Sequence, residues 1–361
     1  LYSHPATPDN IPGQIAFESL QGLKGSIYFG GEYDKLKWIA DLDWDVLIVD
    51  EAHEGVDTEK TDHAFDNIKR KFTLYLSGTP FKALASSRFR DDQIFNWSYA
   101  DEQQAKEEWK SENRNPYEEL PKLNMFTYQL SSILRDKLEK GLDLSGDEGN
   151  VDYAFDLNEF FRTENGHFVH EDDIKKFLHA LTVLEKYPFS TPELRKELAH
   201  TLWLLDRVDS AKALAKMLHN DPVFQNYEIV LAAGNGKLDE DEETDKAYDR
   251  VKQAIKEHPK TITLSVGQLT TGVTIPEWSG VLMLSNMKSP AQYMQAAFRA
   301  QNPCVFTENG QRYRKENAYV FDFDPARTLV IFDEFANNLR KDTAAGNGTS
   351  EKRQDNIKRL L

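Results

Sequence analysis

Cysteine is nearly absent from the 361 residues, since Cys304 is the only one. A disulfide framework within the chain and a cysteine-rich zinc site are therefore both excluded. No apolar run approaches the roughly 20 residues that a membrane-spanning helix needs, and the first residues lack the basic start and apolar stretch of a signal peptide. A single cysteine fits a reducing compartment, so these absences together indicate a cytoplasmic protein.

Positive charge is in deficit: 44 lysines and arginines face 60 aspartates and glutamates, which gives a net charge of -16. Such a balance argues against a general nucleic-acid coat protein, because binding to phosphates needs local Lys and Arg. It leaves room for a motor with a small basic groove. The 361 residues are enough for two or three domains of roughly 100–200 residues each. Hydrophobic residues make up 40% of the chain, which can support sizeable cores.

Two stretches of the sequence predict α/β architecture. Residues 44–50 and 72–76 form short apolar runs separated by a polar helical pattern at 59–70, which is typical of a β-α-β unit. Continuous apolar strands of this kind occur in parallel sheets that are covered on both faces. From residue 200 onwards strands and helices alternate again, which predicts a second parallel domain. Helices are predicted between the two, at 101–112, 126–140 and 171–186.

An acidic tetrapeptide, Asp50-Glu51-Ala52-His53, follows the first apolar strand directly. Ligands of parallel sheets bind beyond the carboxyl ends of the strands, and two adjacent acids there can hold magnesium and orient an attacking water. The alternative is a helix start with acids at its positive end. Ser77-Gly78-Thr79-Pro80 follows the second strand, where its alternative is an ordinary turn. Together, the two loops are expected at the same edge of one sheet.

Six segments in order resemble the motifs of superfamily 2 helicases, most closely those related to type I and type III restriction-modification systems. The acidic tetrapeptide resembles motif II, and the Ser77 loop resembles motif III. Residues 17–21 resemble an upstream DNA-contacting motif, and residues 202–218 resemble motif IV. Residues 266–276 resemble motif V, and Gln295-Ala296-Ala297-Phe298-Arg299-Ala300-Gln301 resembles motif VI.

The resemblance implies ATP and Mg²⁺ as cofactors and a role for each matching residue. Asp50 would hold the magnesium ion, Glu51 would position the hydrolytic water, and Arg299 would reach the γ-phosphate as an arginine finger. The alternative for Arg299 is a surface arginine packed on neighbouring aromatic rings. The remaining candidates fall into two groups. Nucleotide contact and coupling are expected of His53, Ser77, Thr79, Gly272 and Gln295, and contacts to DNA are expected of Gln21, Lys24, Gly267 and Thr271.

The sequence departs from the family pattern in three places. Asn302 stands where motif VI commonly ends in a second arginine, and Thr274 stands where motif V often has an aspartate. The sequence contains no G-x-x-x-x-G-K-[ST] phosphate loop. The segment Gly234-Asn235-Gly236-Lys237 resembles part of one but has neither its spacing nor its Ser or Thr. The family places that loop further upstream of Asp50 than 49 residues allow. We therefore expect a chain truncated at its N-terminus that hydrolyses ATP weakly or not at all by itself.

The expected architecture has two RecA-like lobes with parallel sheets, the first of them incomplete. Residues 1–120 are predicted to form lobe one, 121–197 a mainly helical connector, 198–335 lobe two and 336–361 a loosely packed polar tail. The function predicted is an ATP-driven DNA helicase or translocase of a restriction-modification system, with nuclease and methyltransferase domains or subunits as partners. Two alternatives stay open: an RNA helicase, and a non-catalytic scaffold that only binds nucleic acid.

Overall fold

The structure, a computed structural model, describes residues 13–52, 59–81, 89–130, 156–233, 240–270, 272–308, 310–340 and 342–360. The chain divides into two compact units, Leu1–Phe95 with Asn338–Ala345 and Asn96–Asn337 with Gly346–Leu361. Within the described ranges, no helix combines the length and apolar character needed to cross a membrane.

The helices are α1 Leu20–Lys24, α2 Lys37–Asp41, α3 Glu59–Asp66, α4 Tyr99–Glu107, α5 Leu157–Phe160, α6 Glu171–Val183, α7 Pro192–Glu197, α8 Val208–Asn220, α9 Glu240–Glu257, α10 Pro290–Ala297, α11 Pro325–Asn338 and α12 Ser350–Leu360. The strands are β1 Trp44–Val49, β2 Arg70–Tyr75, β3 Lys122–Thr127, β4 Thr163–Glu164, β5 His167–Phe168, β6 His200–Leu204, β7 Glu228–Ala232, β8 Thr261–Ser265, β9 Gly280–Met283, β10 Val305–Glu308, β11 Gln311–Arg314 and β12 Asn317–Asp322.

The first unit is built on two parallel strands, β1 and β2, with α3 between them in sequence. The predicted β-α-β unit is therefore confirmed. Alternate side chains of a strand point to opposite faces of the sheet. The side chains on one face of this sheet pack on the helices of the unit. The buried apolar side chains of this core are Leu23, Phe29, Ile39, Val49, Ala64, Phe65 and Ile68.

The other face of the β1–β2 sheet is exposed, so the prediction of cover on both faces is wrong. Val46 pairs with Phe72 and Ile48 with Leu74 in the parallel register, which places all four side chains on one face. Their exposed fractions range from 46% for Val46 to 69% for Phe72. An apolar run shows that both faces of a strand are hydrophobic, but it does not show that both are packed.

The second unit holds a six-stranded parallel sheet in the order β3-β12-β9-β6-β8-β7. Every residue of β6, β8 and β9 is buried, as expected of central strands with helices on both faces. The strands predicted near 201–205, 227–232, 261–266, 281–284 and 318–323 are confirmed within two residues. The α/β fold class with a parallel sheet is likewise confirmed.

Strand β3 is the main difference from the predicted organisation. It pairs with β12 at the edge of the six-stranded sheet, although residues from 121 were predicted to form a helical connector. The helix predicted at 126–140 is wrong at 126–127, and its residues 131–140 lie outside the described part. β3 has no fully buried residue. Its sequence accordingly lacks a clear alternation of apolar and polar residues, which is the signal that distinguishes a strand from a helix. Residues 96–120 are also grouped with the second unit.

The predicted polar tail contains helix α12. Helix α12 lies against α11, because the Arg353 guanidinium pairs with the Asp333 carboxylate at 2.6 Å and the Asn356 amide donates to Asn337 Oδ1 at 3.1 Å. Arg353 and Asn356 are three residues apart and Asp333 and Asn337 four apart, so each pair shares one helix face. Most residues of α12 are nevertheless exposed, so the loosely packed polar tail stays a prediction.

Candidate functional site

The motif II and motif III loops lie side by side at the carboxyl edge of the first sheet. The Leu76 N–H donates to the Val49 carbonyl oxygen at 2.8 Å, and the Ala52 N–H donates to the Leu76 carbonyl oxygen at 2.9 Å. These bonds continue the β1–β2 ladder past the ends of both strands. The predicted sharing of one sheet edge is confirmed, because parallel strands end on the same side.

The two acids of motif II are both exposed at this edge. Asp50 Oδ1 accepts a hydrogen bond from the Glu51 N–H at 2.9 Å. Glu51 has a φ of 47°, an uncommon left-handed conformation that costs about 1–3 kcal/mol in a residue with a Cβ. The Asp50 bond before Glu51 and the Ala52–Leu76 bond after it hold this conformation. The local backbone thus directs two adjacent carboxylates away from the strand.

Motif III turns its threonine inward. Thr79 is buried at 4% exposure, and its N–H donates to the half-buried Ser77 Oγ at 3.2 Å. Among the described residues the Thr79 hydroxyl has no hydrogen-bond partner. A buried hydroxyl of this kind calls for a partner, which is consistent with the coupling role predicted for Thr79. His53, the fourth residue of motif II, lies outside the described residues.

The DNA-contact candidates of the first unit share the short helix α1. Ser19 caps this helix, because its Oγ accepts the Gly22 N–H at 2.9 Å. Gln21 is exposed and Lys24 is half-buried. Their separation by three residues places them on neighbouring positions of the helix surface. The structure therefore leaves the Gln21 amide accessible, with Lys24 less so.

The motif V loop after β8 contains repeated left-handed turns. Gly267, Leu269 and Gly272 have φ values of 76°, 62° and 69°, and Thr270 Oγ1 donates to the Gly267 carbonyl oxygen at 2.7 Å. In the described part of the chain, no atom lies within 4 Å of where a Cβ would stand at either glycine. The backbone angle, and not a close neighbour among the described residues, therefore favours glycine at these two positions. Thr271 is outside the described residues.

Motif VI comprises the end of α10 and the 3-10 turn Phe298–Gln301. Arg299 Nε donates to the Gln295 carbonyl oxygen at 3.1 Å, and Arg299 Nη1 donates to the Val273 carbonyl oxygen. The Gln295 side chain is buried at 8% exposure. Asn302 Nδ2 donates to the Arg299 carbonyl oxygen at 3.1 Å, so this departure from the family pattern stabilises the turn. The structure thus brings Gln295, Arg299 and motif V together within the second unit.

A buried polar cluster behind motif VI was not predicted from the sequence. Tyr293 OH donates to Asp322 Oδ2 at 2.9 Å, and Arg327 Nη2 pairs with Asp322 Oδ1 at 2.5 Å. Burial raises the pKa of Tyr293, and the Asp322 carboxylate raises it further. An aspartate that ends an apolar strand and has an arginine five residues later was the available signal. The cluster ties helix α10 to the carboxyl end of β12.

Asparagine in place of Asp322 is expected to lower the free energy of unfolding by about 3–5 kcal/mol, because it leaves a buried arginine without its counter-ion. The carboxylate is 1% exposed and Arg327 9%. Urea unfolding followed by circular dichroism measures the change. The control is Glu118→Gln, which removes the more exposed pair with Arg314 and is expected to change stability by at most about 1 kcal/mol. Equal losses in the two variants would contradict the cluster's role.

The chain is similar in sequence to restriction-modification proteins. Residues 7–82, which include motifs II and III, match the family model described as "Type III restriction enzyme, res subunit". A putative type II restriction enzyme and methyltransferase (C-terminus) from Mycoplasma pneumoniae is 28% identical over 392 residues, covering 91% of this chain and 53% of that protein. The chain spans about half the length of that curated relative.

Two solved structures are similar to this chain. The ATP-dependent Type ISP restriction-modification enzyme LlaBIII, bound to DNA, has a TM-score of 0.46 at 14% identity, covering 88% of this chain and 23% of that one. Dbp5 of S. cerevisiae, bound to RNA and ADP BeF3, has a TM-score of 0.36 at 13% identity, covering 88% of this chain and 63% of that one.

Proposed function

We propose that the chain is the ATP-hydrolysing motor part of a restriction-modification system and that it moves on DNA. The observation that carries the proposal is the acid pair at the carboxyl edge of β1, held beside the motif III loop by the Ala52–Leu76 hydrogen bond. The matching restriction-enzyme family model and the restriction-methyltransferase relative support the same class. Nuclease and methyltransferase domains or subunits are the proposed partners.

The acid pair fits a magnesium nucleotide. Asp50 is an exposed carboxylate, and Mg²⁺ binds through one or two carboxylates while it keeps waters and substrate phosphates as its other ligands. Asp50 would hold the ion, which would supply positive charge to the phosphates. Glu51 then accepts a hydrogen bond from the attacking water and orients it towards the γ-phosphate. His53, Ser77 and Thr79 would transmit the state of the nucleotide to the rest of the first unit.

The second unit supplies the cation in this proposal. Arg299 binds the Gln295 and Val273 carbonyl oxygens, which fixes the direction of the guanidinium. A fixed cation beside the γ-phosphate stabilises the charge of the transferring phosphoryl group. Gly272 and Gln295 would shape the surroundings of this arginine. We propose that Arg299 acts on the same triphosphate as Asp50 and Glu51.

DNA would be bound through its backbone, which suits a motor that reads sequence poorly. The proposed contacts are Gln21 and Lys24 on α1 and Gly267 and Thr271 in motif V. The two glycine positions of motif V are exposed, so backbone amides there can approach phosphates. The acidic overall charge confines such binding to local patches.

ATP hydrolysis by the natural gene product tests the proposal. The rate is measured alone, with duplex DNA and with RNA of matched length, at two salt concentrations. We expect DNA to raise the rate and added salt to reduce the stimulation, because salt weakens phosphate contacts. Stimulation by RNA with DNA inert would support an RNA helicase instead. Binding of DNA without any turnover of ATP would support a non-catalytic scaffold.

A further inference from the structure

Lys315, between β11 and β12, is a buried lysine whose ammonium is bound entirely to main chain. Lys315 is only 4% exposed. Nζ donates to the carbonyl oxygens of Pro276 at 2.6 Å, Trp278 at 2.8 Å and Ala300 at 2.9 Å. An ammonium has three protons and no acceptor, so these three bonds use its whole donor capacity.

Two of the three carbonyl oxygens come from the motifs that form the arginine site, and the third lies just beyond motif V. Pro276 is the last residue of motif V, and Trp278 follows it before β9 begins. Ala300 is the neighbour of Arg299 in the motif VI turn. Lys315 therefore joins the same two segments that Arg299 joins through the Val273 carbonyl oxygen. Arg299 and Lys315 therefore both hold the motif VI turn against motif V.

Other contacts hold Lys315 itself in place. Its main-chain N–H donates to the Cys304 carbonyl oxygen at 2.9 Å, just beyond the motif VI turn. Burial lowers the pKa of Lys315 to about 8, so the ammonium is still the main form at pH 7. Lysine is seldom buried without partners, and hydrogen bonds from a charged donor are stronger than neutral ones. Lys315 is therefore a buried structural residue that links two segments through hydrogen bonds, which we call the tether, and it is not a surface lysine.

We propose that Lys315 is a positioning residue for ATP hydrolysis, which holds the Arg299 turn at a fixed place against motif V. The inference rests on the proposed function, since it assigns a task to the site that carries Arg299. Lys315 acts through main-chain atoms and touches neither nucleotide nor DNA. Loss of the tether lets the turn shift, and a displacement of about 1 Å at a catalytic group can lower a rate about a hundredfold.

The test compares Lys315→Met with Arg195→Met in the natural gene product. Arg195 is a matched control: it lies in the same unit and binds the Phe189 carbonyl oxygen at 2.6 Å and the Thr182 carbonyl oxygen at 3.1 Å, away from both motifs. We expect Lys315→Met to lower kcat by about tenfold to a hundredfold with little change in KM for ATP. Arg195→Met is expected to leave kcat near the wild-type value.

A double-mutant cycle separates positioning from general destabilisation. If Lys315 works through Arg299, Lys315→Met has little further effect on kcat in the Arg299→Ala background. An equal loss in both backgrounds overturns the proposal, and so does an unchanged kcat in the single variant. If Lys315→Met does not fold, Lys315→Arg serves instead, because its planar guanidinium keeps the charge but does not fit three carbonyl oxygens around one point. Full kcat in that variant also overturns the proposal.

Hydrogen exchange distinguishes failure of this inference from failure of the proposed function. We expect amides of residues 273–278 and 298–301 to exchange faster in Lys315→Met and to stay protected in Arg195→Met. If the wild-type protein shows no ATP hydrolysis, the proposed function fails, and the exchange pattern still decides whether Lys315 holds the two segments. Unchanged exchange in both segments overturns the tether whatever the rate of hydrolysis.

Discussion

Glutamine in place of Glu51 is expected to lower DNA-stimulated ATP hydrolysis between about a hundredfold and ten-thousandfold, the range typical for loss of a group that acts on a proton in catalysis. The amide keeps the size of the side chain but is a far weaker proton acceptor towards water. Nucleotide binding should persist, because Asp50 and the neighbouring loop are unchanged. Steady-state hydrolysis gives kcat, and a fluorescent nucleotide gives the affinity for ATP.

The matched control for Glu51→Gln is Asp45→Asn on the same strand. Asp45 lies near the amino end of β1, is exposed and pairs with Lys71 at 2.6 Å. Such surface pairs contribute little to stability, so this variant should hydrolyse ATP like the wild type. A Glu51→Gln protein that turns over at the wild-type rate would remove Glu51 from the proposed mechanism.

Alanine in place of Arg299 is expected to lower kcat about a thousandfold or more, the effect of removing an arginine finger from phosphoryl transfer. The loss has two sources: the cation near the γ-phosphate disappears, and so do the bonds to the Gln295 and Val273 carbonyl oxygens. Arg299→Lys separates them in part, since lysine keeps a positive charge but lacks the planar set of donors. We expect the lysine variant to recover only a small part of the rate.

Arg312→Ala is the control for the arginine prediction. Arg312 is an exposed residue of β11 in the same unit, so its removal changes the charge equally without touching motif VI. We expect hydrolysis by this variant to stay within about twofold of the wild type at moderate salt, where exposed charges are screened. A comparable loss in Arg312→Ala and Arg299→Ala would point to a general effect of positive charge.

The sequence predicted the fold class because strand and helix periods are local properties. Residues 44–49 and 70–75 could be paired in advance, since an intervening helix makes their strands parallel and brings their ends to one edge. That reasoning placed Asp50 beside the Ser77 loop, and the Ala52–Leu76 bond confirms it. The contact between Arg299 and motif V was not predicted, because spacing along the chain does not specify which carbonyl oxygen an arginine binds.

The features that the sequence did not predict depend on contacts between distant segments. Strand β3 pairs with β12 across nearly 200 residues of sequence, and nothing within its six residues indicates that partner. The exposure of Ile48 and Phe72 depends on what packs on the sheet and not on how apolar the strand is. Asp322 and Lys315 gain their importance from burial, which a single sequence does not reveal for charged residues. The roles of all the site residues stay predictions, and His53 and Thr271 lie outside the described residues.

The lysine that joins the two motifs makes few demands on the identity of the residues it joins. Carbonyl oxygens are present at positions 276, 278 and 300 whatever amino acids occupy them, so the three hydrogen bonds do not depend on the side chains there. The position of the lysine along the chain matters more: one residue inserted between Arg314 and Lys315 would shift the ammonium away from the three oxygens. An insertion at the turn between β10 and β11 would leave it in place, because a hairpin loop can take up an extra residue.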